Sequence, residues 1–144
     1  MADEGKPRGR ISNLAAHRAA GRNSAERLFR TDPAAAALVG LVAAERSVPV
    51  AALLDVGRGR ASAAAARQLA MYLANTKLGL TLTEVGALFG RDRTTVAHAC
   101  RLIEDHRDEN DPAFDEELGR LEHAIDDLGN VAVPGMREVR HARG

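Results

Sequence analysis

From residue 33 onward, apolar residues recur at spacings of three and four, the period of an α-helix packed on one side. Asp32-Pro33 marks the first clear start, with Asp as cap and Pro in the first helical position. That helix is predicted to run to about Arg46, with Leu38, Leu41, Val42 and Glu45 in phase. Pro49 opens a shorter helix to about Asp55, carrying Val50, Leu53 and Leu54. Val56-Gly57-Arg58-Gly59-Arg60 then reads as a flexible basic loop. A third helix is predicted from about Ser62 to Thr76, Ala-rich at its start and stopped by Gly79.

The stretch 81–103 is the most informative. Thr81 caps a short helix over Leu82–Phe89, Gly90-Arg91 turns, and Asp92 or Arg93 begins another helix to about Asp105. Two helices joined by a tight Gly-containing turn read as a helix-turn-helix. In the second helix, Val96, Cys100 and Ile103 share one face, while Thr94, Thr95, His98 and Arg101 lie toward the other. Thr is a mediocre helix former, but it offers a hydroxyl and a methyl to the edges of bases. Asp111-Pro112 starts the last helix, predicted through about Leu128 and ended by Gly129, with Phe114, Leu118, Leu121 and Ile125 as its stripe.

The ends are weaker. Ala2–Arg10 is polar with Gly and Pro, which predicts disorder. Ile11, Leu14, Ala15, Ala19 and Leu28 give only a faint helical stripe, broken at Gly21. The expected organisation is therefore an N-terminal extension at 1–31, a helical domain at 32–129, and a flexible tail at 130–144.

Composition narrows the class. Of 144 residues, 45% are hydrophobic but only 3% aromatic, so the core must be built from Ala, Leu, Val and Ile. This favours thin, close-packed helices and an all-α fold, a small helical bundle containing a helix-turn-helix. A single Cys excludes a disulfide scaffold. No apolar run approaches the length of a transmembrane helix, and the N-terminus lacks an apolar signal core. The expectation is a cytoplasmic protein without a membrane partner. No GxxxxGK[ST] loop is present, and no cofactor is expected.

The overall charge balance conceals a segregation. Residues 56–103 hold seven bases against two acids, net +5, whereas 104–129 hold two bases against eleven acids, net −9. The basic centre can attract phosphates, and the acidic helix should point away from them. The bases are nearly all Arg, which suits bidentate recognition of phosphate and guanine, although Arg with abundant Ala and Gly also fits a GC-rich coding sequence.

Enzymatic chemistry is not legible. His98, Cys100 and His106 do not have zinc-site spacing, and no Ser-His-acid or paired-carboxylate arrangement stands out. Cys100 belongs to the apolar face and reads as core. His98 is left between a phosphate neighbour and a plain surface residue. No catalytic or metal-binding residue is expected.

The strings RQLAMYL (67–73), LTEVGALFG (82–90) and RDRTTVAHACRLIE (91–104) resemble the C-terminal DNA-binding domain of the bacterial replication initiator DnaA. That family reads much like RQxAMYL, LxxIGxxFG and RDHTTVxHAxxxIE, in the same order. The resemblance extends more weakly from about Pro33 to Leu128. It implies a helical bundle that binds a short asymmetric duplex site as one copy. The helix starting at Asp92 would lie in the major groove, and the basic loop would send an Arg into the minor groove. On this resemblance Asp92, Arg93, Thr94 and Thr95 would meet base edges. Arg67 would support major-groove or phosphate contact, Arg58 and Arg60 are the minor-groove candidates, and Arg91 and His98 complete the DNA-binding set.

Three departures set this chain apart. The family's His is Arg93 here, which replaces a short imidazole by a long fork that prefers guanine. The turn before Arg91 is one residue shorter. Strict counting places Gly59 where the family has its minor-groove Arg. Together they predict a preferred DNA sequence other than the initiator's own. Residues 1–32 are also too few for the initiator's ATPase domain, so a stand-alone DNA reader is expected.

The first functional expectation is a sequence-specific transcription regulator acting as an activator. Small bacterial activators of gene-transfer-agent and prophage-like genes look similar. They imply an RNA-polymerase-contacting partner and a DNA-bending architectural protein. The alternatives are a competitor at origin sites, or an interaction module that kept the fold and lost DNA binding.

Overall fold

Asp32 is buried at the head of the first described helix, and its carboxylate accepts from the Ala35 amide at 3.0 Å. The computed structural model of the chain describes residues 27, 28, 30–55 and 60–130. The expected helix around Ile11, the loop residues 56–59 with Arg58, and the expected tail from 131 lie outside them. Among the described residues, six helices follow Asp32 in order: α1 (Pro33–Arg46), α2 (Val50–Leu54), α3 (Ala61–Thr76), α4 (Leu82–Phe89), α5 (Arg93–Arg107) and α6 (Pro112–Asn130). The fold is all-α, and no strand occurs among the described residues.

Local chemistry accounts for most boundaries. Thr81 and Glu84 form a reciprocal capping box at the start of α4, with Thr81 Oγ1 accepting from Glu84 N at 3.1 Å and Glu84 Oε1 accepting from Thr81 N at 2.9 Å. Gly90 ends α4 in the left-handed region at φ 67°, where a side chain would be strained. Asp111 Oδ1 accepts from the Ala113 amide at 3.1 Å and so caps α6. One expected stop fails: α6 runs through Gly129 to Asn130. Gly weakens a helix interior by only about 1 kcal/mol, too little to end a helix already packed over several turns.

α3 is the central helix. Every residue from Leu69 to Ala74 is buried, so the helix is covered on all sides in its second half. It packs against α1, α2, α4 and α5. Its small residues Ala63, Ala66 and Ala70 let neighbouring backbones approach closely. α1 contributes Leu38, Val39, Val42 and Ala43, while α6 closes the bundle with Phe114, Leu118, Leu121 and Ile125. Full burial of each such Leu or Ile is worth roughly 1.5–3 kcal/mol.

The acidic helix α6 is less free than its composition suggests. Glu117 takes a two-pronged contact from Arg46 of α1, at 2.5 and 3.0 Å. Arg120 returns the favour to Glu45 of α1 at 2.7 Å, and Lys77 at the end of α3 meets Asp126 at 2.9 Å. The Glu45 carboxylate holds the Arg120 guanidinium above its ordinary range. Arg107 of α5 donates to the buried Tyr72 hydroxyl at 2.6 Å and faces Glu122. His106 Nε2 donates to the Asp111 carboxylate at 3.2 Å, and its ring stacks on Phe114, with ring centroids 3.9 Å apart. The acidic helix is thus tied to the C-terminal end of α5, about 21 Å along its axis from the first turn at Arg93.

Candidate nucleic-acid interface

The turn between α4 and α5 is short because Gly86 permits it. A Cβ on Gly86 would overlap the Arg91 carbonyl oxygen, and the Arg91 amide donates to Gly86 O at 2.9 Å. The chain therefore doubles back over the last turn of α4 and presents Asp92 as the cap of α5. This is the helix-turn-helix read from the sequence.

Asp92 organises the first turn of α5 through one oxygen. Its Oδ1 accepts from the Thr95 amide at 3.0 Å, from Thr95 Oγ1 at 2.8 Å and from Thr94 Oγ1 at 3.1 Å. The Thr95 hydroxyl above all, then the Thr95 amide and the Thr94 hydroxyl, hold the carboxyl below the ordinary aspartate range. Both Thr hydroxyl protons are directed back into the protein. Their lone pairs and methyl groups remain to meet a ligand, so these residues offer acceptors and apolar contact at the surface.

Around this turn α5 divides as its periodicity requires. Val96, Ala99, Cys100 and Ile103 are buried against the bundle. Arg93, Thr94, Thr95, His98 and Arg101 are exposed. Arg93, His98 and Arg101 have no hydrogen-bond or ion-pair partner among the described residues. Cys100 is buried, and burial first and Glu104 second push its thiol above the ordinary range, which suits a core residue.

Two of the expected DNA-binding arginines turn inward. Arg67 is only 8% exposed. Its Nε donates to Leu53 O at 2.7 Å and its Nη2 to Asp55 O at 3.1 Å. Arg91 Nη2 donates to the same Asp55 oxygen at 3.0 Å. Both guanidinium groups lie below their ordinary range, chiefly because burial disfavours the charge, with the Asp55 carboxylate opposing the shift. These bonds satisfy carbonyls at the C-terminal end of α2 that a five-residue helix cannot satisfy itself. The sequence did hold a signal for Arg67: it falls in phase with Ala63, Ala66 and Ala70, on the buried side of α3.

Arg60 is exposed at the start of α3, which has no side-chain cap. Arg58 lies outside the described residues. Among the described residues, no group of three or more His, Cys, Asp or Glu side chains could hold a metal ion. No helix there is long and apolar enough to cross a membrane.

Residues 36–103 match a family model described as the bacterial dnaA protein helix-turn-helix. The matched span begins in α1 and ends in α5, and it includes Arg67, the turn at Gly90 and the exposed first turns of α5.

Proposed function

We propose that this chain is a sequence-specific double-stranded DNA-binding protein that acts as a transcription regulator, as an activator. The DnaA-type helix-turn-helix at 36–103 supports DNA binding. The observation that carries the reading is the first half of α5. There Arg93, Thr94, Thr95, His98 and Arg101 stand exposed on a helix whose first turn is braced by Asp92. An exposed helix N-terminus, with an Arg that has no partner among the described residues and two braced Thr, suits entry into a major groove.

Arg93 sets the expected preference. Its long planar fork suits the O6 and N7 edge of guanine, where the family pattern has an imidazole. The preferred site should therefore differ from the initiator's own, which favours promoter binding over competition at origins. Arg60, and Arg58 with it, are proposed for the minor groove or nearby phosphates. The concentration of acidic residues on α6, at the far end of α5, keeps like charge away from this surface.

The test is a genome-wide binding map of the tagged chain, with Arg93→Ala alongside. A few strong promoter peaks lost in the variant support the regulator reading, and raised transcription from those promoters supports the activator. Peaks confined to the origin would transfer the reading to a replication competitor. No peaks, together with no retardation of genomic fragments at low salt, would leave a protein-interaction module.

A further inference from the structure

We propose that Arg91 is a positioning residue for sequence readout, holding the turn before α5 against the end of α2 instead of binding a phosphate. The proposal rests on the DNA-binding reading above.

Arg91 is held at both ends. Its amide donates to Gly86 O at 2.9 Å, and its side chain donates to Asp55 O at 3.0 Å, across 36 residues of sequence. The same carbonyl accepts from Arg67 Nη2 at 3.1 Å. A carbonyl oxygen has two lone pairs, so these two donors use its full capacity. Three elements therefore meet at one atom: the end of α2, the middle of α3 and the turn of the helix-turn-helix.

The next residue in the chain is Asp92, the cap that braces Thr94 and Thr95. Any shift of Arg91 is passed directly to the first turn of α5. A guanidinium is planar and rigid, so one committed edge fixes the direction of the whole group. Hydrogen-bonded readout of base edges depends on placement to a fraction of an ångström, whereas phosphate attraction does not. Loss of the Arg91 contact should therefore erode discrimination between sequences and leave the general attraction to DNA in place.

The experiment uses the full chain, a duplex selected by the wild type from a random pool, and a scrambled duplex of the same composition. Affinities of wild type, Arg91→Gln and Arg91→Lys are measured by fluorescence anisotropy across a salt series, with thermal melts to confirm folding. Arg91→Gln is expected to weaken the selected duplex by about tenfold and the scrambled duplex by less than about twofold, with an unchanged salt slope. Arg91→Lys should lose the same discrimination, because an ammonium lacks the fork that reaches Asp55 O. If Arg91→Gln does not fold, the lysine variant carries the comparison. Equal weakening of both duplexes by Arg91→Gln, with the salt slope reduced by about one and binding restored by Arg91→Lys, would make Arg91 a phosphate contact. Unchanged discrimination in folded variants would also overturn the assignment. A wild type that does not distinguish the two duplexes would instead remove the DNA-reading proposal itself.

Discussion

Gly86 and Arg91 are in such close contact that the glycine has no room for a side chain: its Cβ position is taken by the Arg91 carbonyl oxygen. Backbone atoms cannot swing aside as a flexible side chain can. The relationship makes the helix-turn-helix turn depend on one missing methyl group in α4.

Gly86→Ala should therefore displace the turn. The expected destabilisation is roughly 1–3 kcal/mol, the usual cost of overpacking, reduced by the gain in helix propensity. Chemical denaturation of the two proteins measures it. Binding to a duplex selected by the wild type should fall as well, because α5 is carried by that turn. Wild-type stability in the variant would show that the turn accommodates the methyl freely.

Asp92 should give the protein an acid-sensitive component of stability. Its folded carboxyl is held below the ordinary range, chiefly by the Thr95 hydroxyl. The unfolded chain then binds the proton more readily, so the contribution is fully present above the ordinary carboxylate range. It is lost as pH falls through that range to the folded-state value. Thermal melts of wild type and Asp92→Asn should differ most at neutral pH and converge in strong acid. A gap in Tm that stays constant with pH would assign the effect to something other than the charge.

Arg93→Ala should cost roughly 1–3 kcal/mol of binding to the preferred duplex and relax selectivity at one base pair. Competition against duplexes changed singly at each position would locate that base pair. Stability should hardly move, since Arg93 has no partner among the described residues. If the variant ranks all duplexes as wild type does, Arg93 does not read bases.

Tyr72→Phe removes the acceptor of the Arg107 bond between α3 and α5. Arg107 stays open to water, so the loss should be small, about 0.5–1 kcal/mol, without change in DNA preference. A double-mutant cycle with Arg107→Leu isolates the pair. A coupling energy of zero would make the 2.6 Å contact energetically silent.

Much of the local structure was legible in adjacent residues. Asp32-Pro33, Thr81 with Glu84, Gly90, Asp92 and Asp111-Pro112 each signal a boundary through groups within four positions. The stripes Val96, Cys100, Ile103 and Phe114, Leu118, Leu121, Ile125 are all buried, as their spacing required. The end of α6 departs from the local signal at Gly129, because packing along the helix outweighs one weak residue.

The arginines mark the boundary of what sequence alone could decide. Periodicity places Arg101 on the open face of α5, the family resemblance adds Arg93, and both are exposed. Charge counting grouped Arg67 and Arg91 with them as one basic centre, yet these two turn inward to the carbonyls of Leu53 and Asp55. The physical reason is separation along the chain. Helix phase and caps depend on neighbours in sequence, so the helices and the turn were determined by the sequence read locally. Whether a guanidinium faces solvent or saturates a carbonyl depends on a helix end 12 to 36 residues away. Only the packing of α2 beside α3 and the turn brings that partner within reach.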